Sequence, residues 1–276
     1  MKRLFISADM EGIGGVVSKE QCSTDGFEFQ KAREWMTQEV VAVCETASDC
    51  GFDEIVVADS HSTGQNLLLD DLPQAVRVVR AWPRPLGMAQ GIDSGTFAAA
   101  ALIGYHSGAT DIRGALAHTY SGLDVAELRI NGKPCSETVL VALTAGKFGV
   151  PVALVSGDDA YVEHAQTVLD NVEGVVTKYW QSRLSTMTLT PAAARDALRV
   201  GARKAFNRLG DFKPMPQAAP YAFELRFRNR FRAEMLSFLP FVERLDANSI
   251  RFVAQDISDI TRFMEFVFHG TRPAPP

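Results

Sequence analysis

The stretch Leu4-Phe5-Ile6-Ser7-Ala8-Asp9-Met10-Glu11-Gly12 decides the fold, because an apolar run of strand length breaks there into two carboxylates and a glycine. A run of this kind, without polar alternation, marks a strand buried on both faces, as in a parallel sheet. The pattern returns at Ile55 to Ala58, at Ala98 to Gly104 and at Pro151 to Ser156. Between the first two runs, Phe29 to Cys50 carries Ala32, Trp35, Met36, Val40, Val43, Cys44 and Ala47 near one helical face, and Gly51 supplies a stop. Further helices are expected from Thr138 to Phe148 and from Asp158 to about Val172. This alternation predicts an α/β fold: a three-layer sandwich around a mainly parallel sheet.

Asn131-Gly132 between Leu128-Arg129-Ile130 and Lys133-Pro134 predicts a small hairpin. Thr190-Pro191 reads as an N-cap followed by a first-turn proline, opening an alanine-rich helix to about Leu209. Beyond the break at Lys213-Pro214-Met215-Pro216 come strands at Tyr221 to Arg228 and Ile250 to Ala254, then an amphipathic helix from Ile257 to Phe268. The expected division is an α/β metal-binding catalytic domain over 1–189 followed by a smaller α+β subdomain over 190–276. The Pro-rich tail after Gly270 is expected to fray.

Composition narrows the function. With 46% apolar residues among 276, the chain can bury a large core, which excludes disordered and fibrous classes. Lys plus Arg number 28 against 33 Asp plus Glu, so the net charge of -5 gives no general attraction to nucleic acid or an anionic membrane. No run approaches the roughly 20 apolar residues of a membrane span, and the N-terminal run is too short for a signal-peptide core. Cys22, Cys44, Cys50 and Cys135 lack close-paired spacing and read as reduced thiols of a cytoplasmic protein.

In an open α/β sheet, ligands bind beyond the carboxyl ends of the strands. Here those ends read Asp9-Met10-Glu11-Gly12, Asp59-Ser60-His61-Ser62 and Gly104-Tyr105-His106-Ser107. If the strand persists, Asp9 and Glu11 face the same way, and a cation would resolve their repulsion. His61 and His106 can add neutral imidazole nitrogen, a donor set suited to zinc. A carboxylate bridging two ions would give a two-metal hydrolytic centre, with ions about 3.5–4 Å apart. Taken singly, these residues also serve as helix caps, solvated turns or structural histidines. Their joint occurrence is what points to metal: of five histidines, two end apolar runs and His118 follows soon after.

Through these motifs, together with Ser7-Ala8, Ala117-His118-Thr119, Asn131-Gly132-Lys133-Pro134 with Glu137, and Gly157-Asp158-Asp159, the chain resembles the zinc-dependent D-aminopeptidases associated with a bacterial dipeptide-transport operon. The resemblance implies two zinc ions per subunit, with Asp9, Glu11, His61, His106 and Glu137 matching the ligands and Asp9 the bridge. It implies that His118 matches the catalytic histidine. Its further implications are substrates that are short peptides with an N-terminal D residue such as D-Ala, and assembly into a homo-oligomer, a decameric ring with active sites facing an interior space. The residues themselves agree. Glu137 opens a helix, where the macrodipole favours an ionised carboxylate. His118 lies in an aperiodic segment, and general acid/base work beside an activated water, or stabilisation of the tetrahedral intermediate, is more economical for it than covalent attack.

Other signals are weaker. Gly12-Ile13-Gly14-Gly15 lacks the third fingerprint glycine, since Val17 stands there, and suits close backbone approach instead. Ser60 neighbours His61 and so faces the opposite way, without a nucleophile elbow. Asp158 and Asp159 read as a cap and first-turn acid, Arg226, Arg228, Arg230 and Arg232 as the solvated face of a strand, and His164 and His269 as exposed. Two other functions compete: a two-metal phosphoesterase, and a non-catalytic peptide- or metal-binding protein on the same fold.

Overall fold

The computed structural model describes residues 1–270, so the expected fraying after Gly270 lies outside the described residues. In chain order the strands and α-helices are β1 (Arg3–Ala8), α1 (Phe29–Asp49), β2 (Glu54–Asp59), β3 (Val76–Val79), β4 (Ala99–Ile103), β5 (Val125–Ile130), β6 (Lys133–Pro134), α2 (Glu137–Lys147), β7 (Val152–Asp158) and α3 (Asp159–Leu169). Then follow β8 (Glu173–Ser182), β9 (Ser185–Thr188), α4 (Pro191–Phe206), β10 (Tyr221–Phe227), α5 (Arg230–Leu236), β11 (Glu243–Arg244), β12 (Ser249–Ala254) and α6 (Ile257–Phe268).

The seven-stranded sheet runs β3-β2-β1-β4-β7-β8-β9, parallel except for β9. Its central strands are the four apolar runs, buried on both faces because helices cover both. On one side Leu4, Ile6 and Ala8 of β1 pack with Met36, Val40 and Val43 of α1 and Leu198 and Ala202 of α4. On the other, Phe5 packs in a core with Val141 and Ala142 of α2 and Tyr161 and Val162 of α3. The expected three-layer α/β sandwich is therefore present. From β1 the chain passes to β2 on one side and later to β4 on the other, so the crevice between β1 and β4 is the switch point of the sheet.

The second sheet, ordered β11-β12-β10-β5-β6, is antiparallel, and α5 and α6 pack on it. It takes β5 and β6 from the middle of the chain, joined by the expected tight turn with Asn131 (φ 52) and Gly132 (φ 76) both left-handed. Helix α2 lies between the sheets: Leu140 and Leu143 enter the second core, whereas Val141, Ala142 and Ala145 enter the first. Its N-terminus is thereby fixed from two sides.

Several segments depart from expectation, among them Arg230 and Arg232, expected on a strand face but placed in α5 after β10 ends at Phe227. Helix α3 stops at Leu169, where Asp170 (φ 65, ψ -66) makes a tight turn closed by the Asn171 N–H on Leu169 O (2.8 Å), because the chain turns directly into β8 at Glu173. Strands β3, β8 and β9 carry no continuous apolar run, since they lie toward the sheet edges and are only partly buried. His164 and His269 are partly buried rather than exposed: His164 contacts Ser136 Oγ at 2.9 Å, and the His269 ring stacks on Trp82 at 5.1 Å. Among the described residues no helix is long and apolar enough to cross a membrane.

Candidate metal centre

Three strand ends meet at the switch point. Asp9 follows β1 and its N–H still donates to Ile103 O of β4 (2.8 Å), while Ser60 N–H donates to Ala8 O (2.8 Å), so the segments after β1, β2 and β4 leave the sheet together. Gly12 N–H donates to Gly104 O at 2.7 Å, and a Cβ at Gly12 would overlap the Tyr105 carbonyl oxygen. Glycine is required here so that two backbones can touch. That contact folds Glu11 back toward Asp9.

His61 is set by the loop after β2. The Asp59 carboxylate accepts the Asn66 N–H (2.5 Å), the Asn66 side-chain amide (2.7 Å) and the Leu67 N–H (2.8 Å), and the same amide donates to His61 O at 2.6 Å. Glu137 is the first residue of α2 after the Ser136 cap, and its Oε1 accepts the Tyr120 N–H at 2.6 Å. His118 arrives on the loop 107–124. The Asp158 carboxylate anchors that loop by accepting the Ala115 N–H (2.5 Å) while capping α3 through the Tyr161 N–H (2.7 Å). Leu116 (φ 54) and Tyr120 (φ 58), two residues to either side of His118, are left-handed, a strain typical of functional loops.

All six residues singled out from the sequence converge in one buried cluster. His61 Nδ1 lies 3.2 Å from Asp9 Oδ1 and 3.0 Å from Glu11 Oε2. His106 Nε2 lies 3.4 Å from Asp9 Oδ2 and 3.5 Å from Glu137 Oε2. His118 Nε2 lies 3.9 Å from Glu11 Oε1, and its ring stacks on His106 with centroids 4.2 Å apart.

The second nitrogen of each imidazole is tethered to a backbone carbonyl: His61 Nε2 to Cys22 O (2.8 Å), His106 Nδ1 to Ser107 O (2.9 Å) and His118 Nδ1 to Leu116 O (2.8 Å). A carbonyl can only accept, so each tethered nitrogen carries the hydrogen. The free nitrogens then point lone pairs at carboxylates, an arrangement that needs a cation, proton or metal, between them. Asp9 Oδ2 and Glu11 Oε2 are buried and receive no hydrogen bond.

The electrostatics describe the same deficit of positive charge. Burial and the neighbouring Glu11 raise the Asp9 carboxyl. Burial opposes ionisation of Glu11, yet His61, His118 and His106 hold it well below the ordinary range. Burial likewise works to lower the histidines, but Glu11 and Asp9 lift His61, and Glu137 and Asp9 lift His106, well above the usual imidazole value. Three anionic groups thus draw protons onto the imidazoles, and divalent ions would replace those protons. Converging donor groups form around Asp9, His106 and Glu137, around Glu11, His106 and His118, and around Glu11, Cys22 and His61. Imidazole plus carboxylate is a donor set that fits zinc.

Two supporting residues escape a reading of the sequence. Lys178 of β8 is fully buried, and its ammonium donates to the carbonyls of Glu11, Ile13 and Val16, clamping the loop after β1; burial lowers it to about 8. Glu39 of α1 accepts the Gly14 N–H at 2.9 Å. A lysine in a strand and a glutamate in a helix look solvated, although Glu39 does sit three residues from Met36 and four from Val43, on the apolar face. Ser60 faces away from the centre, bonded to Ser7 Oγ (2.8 Å).

A family model described as D-aminopeptidase (Peptidase_M55) matches residues 1–266. A D-aminopeptidase of Bacillus subtilis (strain 168) is 29% identical over 263 residues, covering 95% of each chain. The solved structure described as the Zn-dependent D-aminopeptidase DppA from Bacillus subtilis, a self-compartmentalizing protease, superimposes with a TM-score of 0.93 at 28% identity. That match covers 99% of this chain and 100% of the other.

Proposed function

This chain belongs to the D-aminopeptidase family, a family of zinc-dependent enzymes, and from that premise we propose that it removes an N-terminal D residue such as D-Ala from short peptides. In this reading Asp9, Glu11, His61, His106 and Glu137 hold two zinc ions. The observation that carries it is the convergence of three tethered imidazoles on three buried carboxylates, two of whose oxygens have no hydrogen-bond donor.

The chemistry zinc supplies when bound is activation of water near neutral pH and polarisation of the scissile carbonyl. The protein's residues do the rest. Asp9 is suited to bridging, because Oδ1 faces His61 and Oδ2 faces His106. His118 is the most accessible member, with a fifth of its side chain exposed, so it can meet substrate. Its Nδ1 stays bonded to Leu116 O, and Nε2 is free to take a proton from attacking water and return it to the departing amine. Stacking on His106 keeps the ring in plane throughout.

A homo-oligomer, a ring of ten by resemblance, belongs to the same proposal. Its support on this chain is the exposed apolar surface of Phe231, Met235, Phe238, Phe241 and Phe266, which a solitary subunit would leave in water. Sedimentation should show a large assembly; a monomer would contradict it.

The function is tested by hydrolysis of matched D- and L-alanyl amides before chelation, after it, and after zinc is restored. The D amide should be cleaved in preference, with activity lost and then regained. Equal rates for both isomers would overturn the stereochemical reading, and activity surviving complete metal removal would overturn the zinc reading. Cleavage of phosphodiesters but not amides would favour the two-metal phosphoesterase.

A further inference from the structure

The loop between β1 and α1 brings a thiol to the centre. Cys22 is buried, and its position is fixed: its N–H donates to Lys19 O at 3.1 Å and its carbonyl accepts His61 Nε2 at 2.8 Å. Gln21 beside it staples the loop, accepting the N–H groups of Val17 (2.8 Å) and Ser18 (3.0 Å) and donating to Gly15 O (3.1 Å). The Cys22 sulfur, a carboxylate oxygen of Glu11 and a ring nitrogen of His61 all lie within 4.8 Å of one another. Glu11 Oε2, buried and without a hydrogen-bond donor, lies 3.0 Å from His61 Nδ1.

We propose that Cys22 is a thiolate ligand of the ion on the His61 side of the centre. The inference rests on the two-zinc reading above and adds a sulfur donor to it. Zinc ligands at about 2.0 Å for nitrogen or oxygen and about 2.3 Å for sulfur lie about 3.5 Å apart in a tetrahedral shell, so closure takes a shift of about an ångström. The thiol proton leaves to solvent as the cation binds, and the cation supplies the compensating charge. Sulfur makes this position softer than its partner on the His106 side, and biases it toward zinc, cobalt and cadmium over magnesium or manganese. Cys44, Cys50 and Cys135 fall in no such donor group among the described residues.

Cobalt-loaded full-length protein tests this without reference to activity. Equilibrium dialysis counts the cobalt, and the absorption spectrum should show a near-ultraviolet thiolate-to-cobalt charge-transfer band beside the visible d–d bands. Cys22→Ser should lose the charge-transfer band while still binding cobalt, and Cys50→Ser should keep it. X-ray absorption at the zinc edge of the wild-type protein gives a second readout that needs no variant: one sulfur scatterer at about 2.3 Å. Bound cobalt with d–d bands but no charge-transfer band, or a zinc edge free of sulfur, would overturn the role of Cys22 and leave the metal centre standing. Absence of bound cobalt would overturn the centre itself, and the thiolate with it.

Discussion

Replacing Glu39 with Gln should stabilise the protein, and the gain should appear only as pH rises. Glu39 is 1% exposed; its Oε1 accepts the Gly14 N–H, whereas Oε2 has no partner. Burial pushes its carboxyl from the ordinary 4.5 up to about 7, against the opposing pull of the Gly14 donor and Lys178. Between those two values the folded chain holds a proton that the unfolded chain releases. Stability therefore falls as pH climbs through this window, and the loss is complete above the folded value. At about 1.4 kcal/mol per tenfold, the full cost is about 3 kcal/mol, of which about 2.5 kcal/mol accrues between pH 5 and 8. The amide keeps the Gly14 bond and never ionises, and any local cost of its NH2 group is equal at both pH values. Urea unfolding of metal-free wild type and Glu39→Gln at pH 5 and pH 8 measures the difference. Relative to wild type the variant should gain about 2.5 kcal/mol between the two, and a difference that does not change with pH would refute the reasoning.

Three further outcomes follow from the geometry. His118→Ala should lower kcat by about 10²–10⁴-fold while metal content stays at the wild-type level, since loss of a proton carrier has that size; equal turnover would remove it from the mechanism. Asn66→Ala removes the side-chain amide that links Asp59 to the His61 carbonyl and leaves only backbone donors on Asp59, so zinc affinity by competition with a chromophoric chelator should fall about 10–100-fold, and an unchanged affinity would contradict the positioning role. Gly12→Ala drives a methyl group into the Tyr105 carbonyl and should cost about 3 kcal/mol or more in chemical denaturation, whereas a neutral effect would mean that the two backbones need not touch.

What could be read in advance follows burial. Strands β1, β2, β4 and β7 are legible because helices on both faces make their middles a short apolar run, and the candidate residues Asp9, Glu11, His61 and His106 are legible because they follow those runs. Strand β8 hides because only part of it is buried, and one of its fully buried positions is a lysine whose partners are backbone carbonyls distant in sequence. Nothing local foretells that Lys178 would meet Ile13 across 165 residues. The same holds for β5: its hairpin turn is written in Asn131-Gly132, but its pairing with β10 depends on the whole chain. The histidine tethers are likewise silent, since the acceptors are main-chain oxygens that any residue could supply.

The proposed function requires that Asp9, Glu11, His61, His106 and Glu137, from four segments of the chain, hold a pair of zinc ions. Zinc counted per chain by mass spectrometry, after loading and exhaustive dialysis, tests it most directly in wild type and in Asp9→Asn. Two ions per chain are predicted for the wild type and fewer than two for the variant, whose amide cannot bridge. One ion or none in the wild type, or an undiminished pair in Asp9→Asn, would contradict the account.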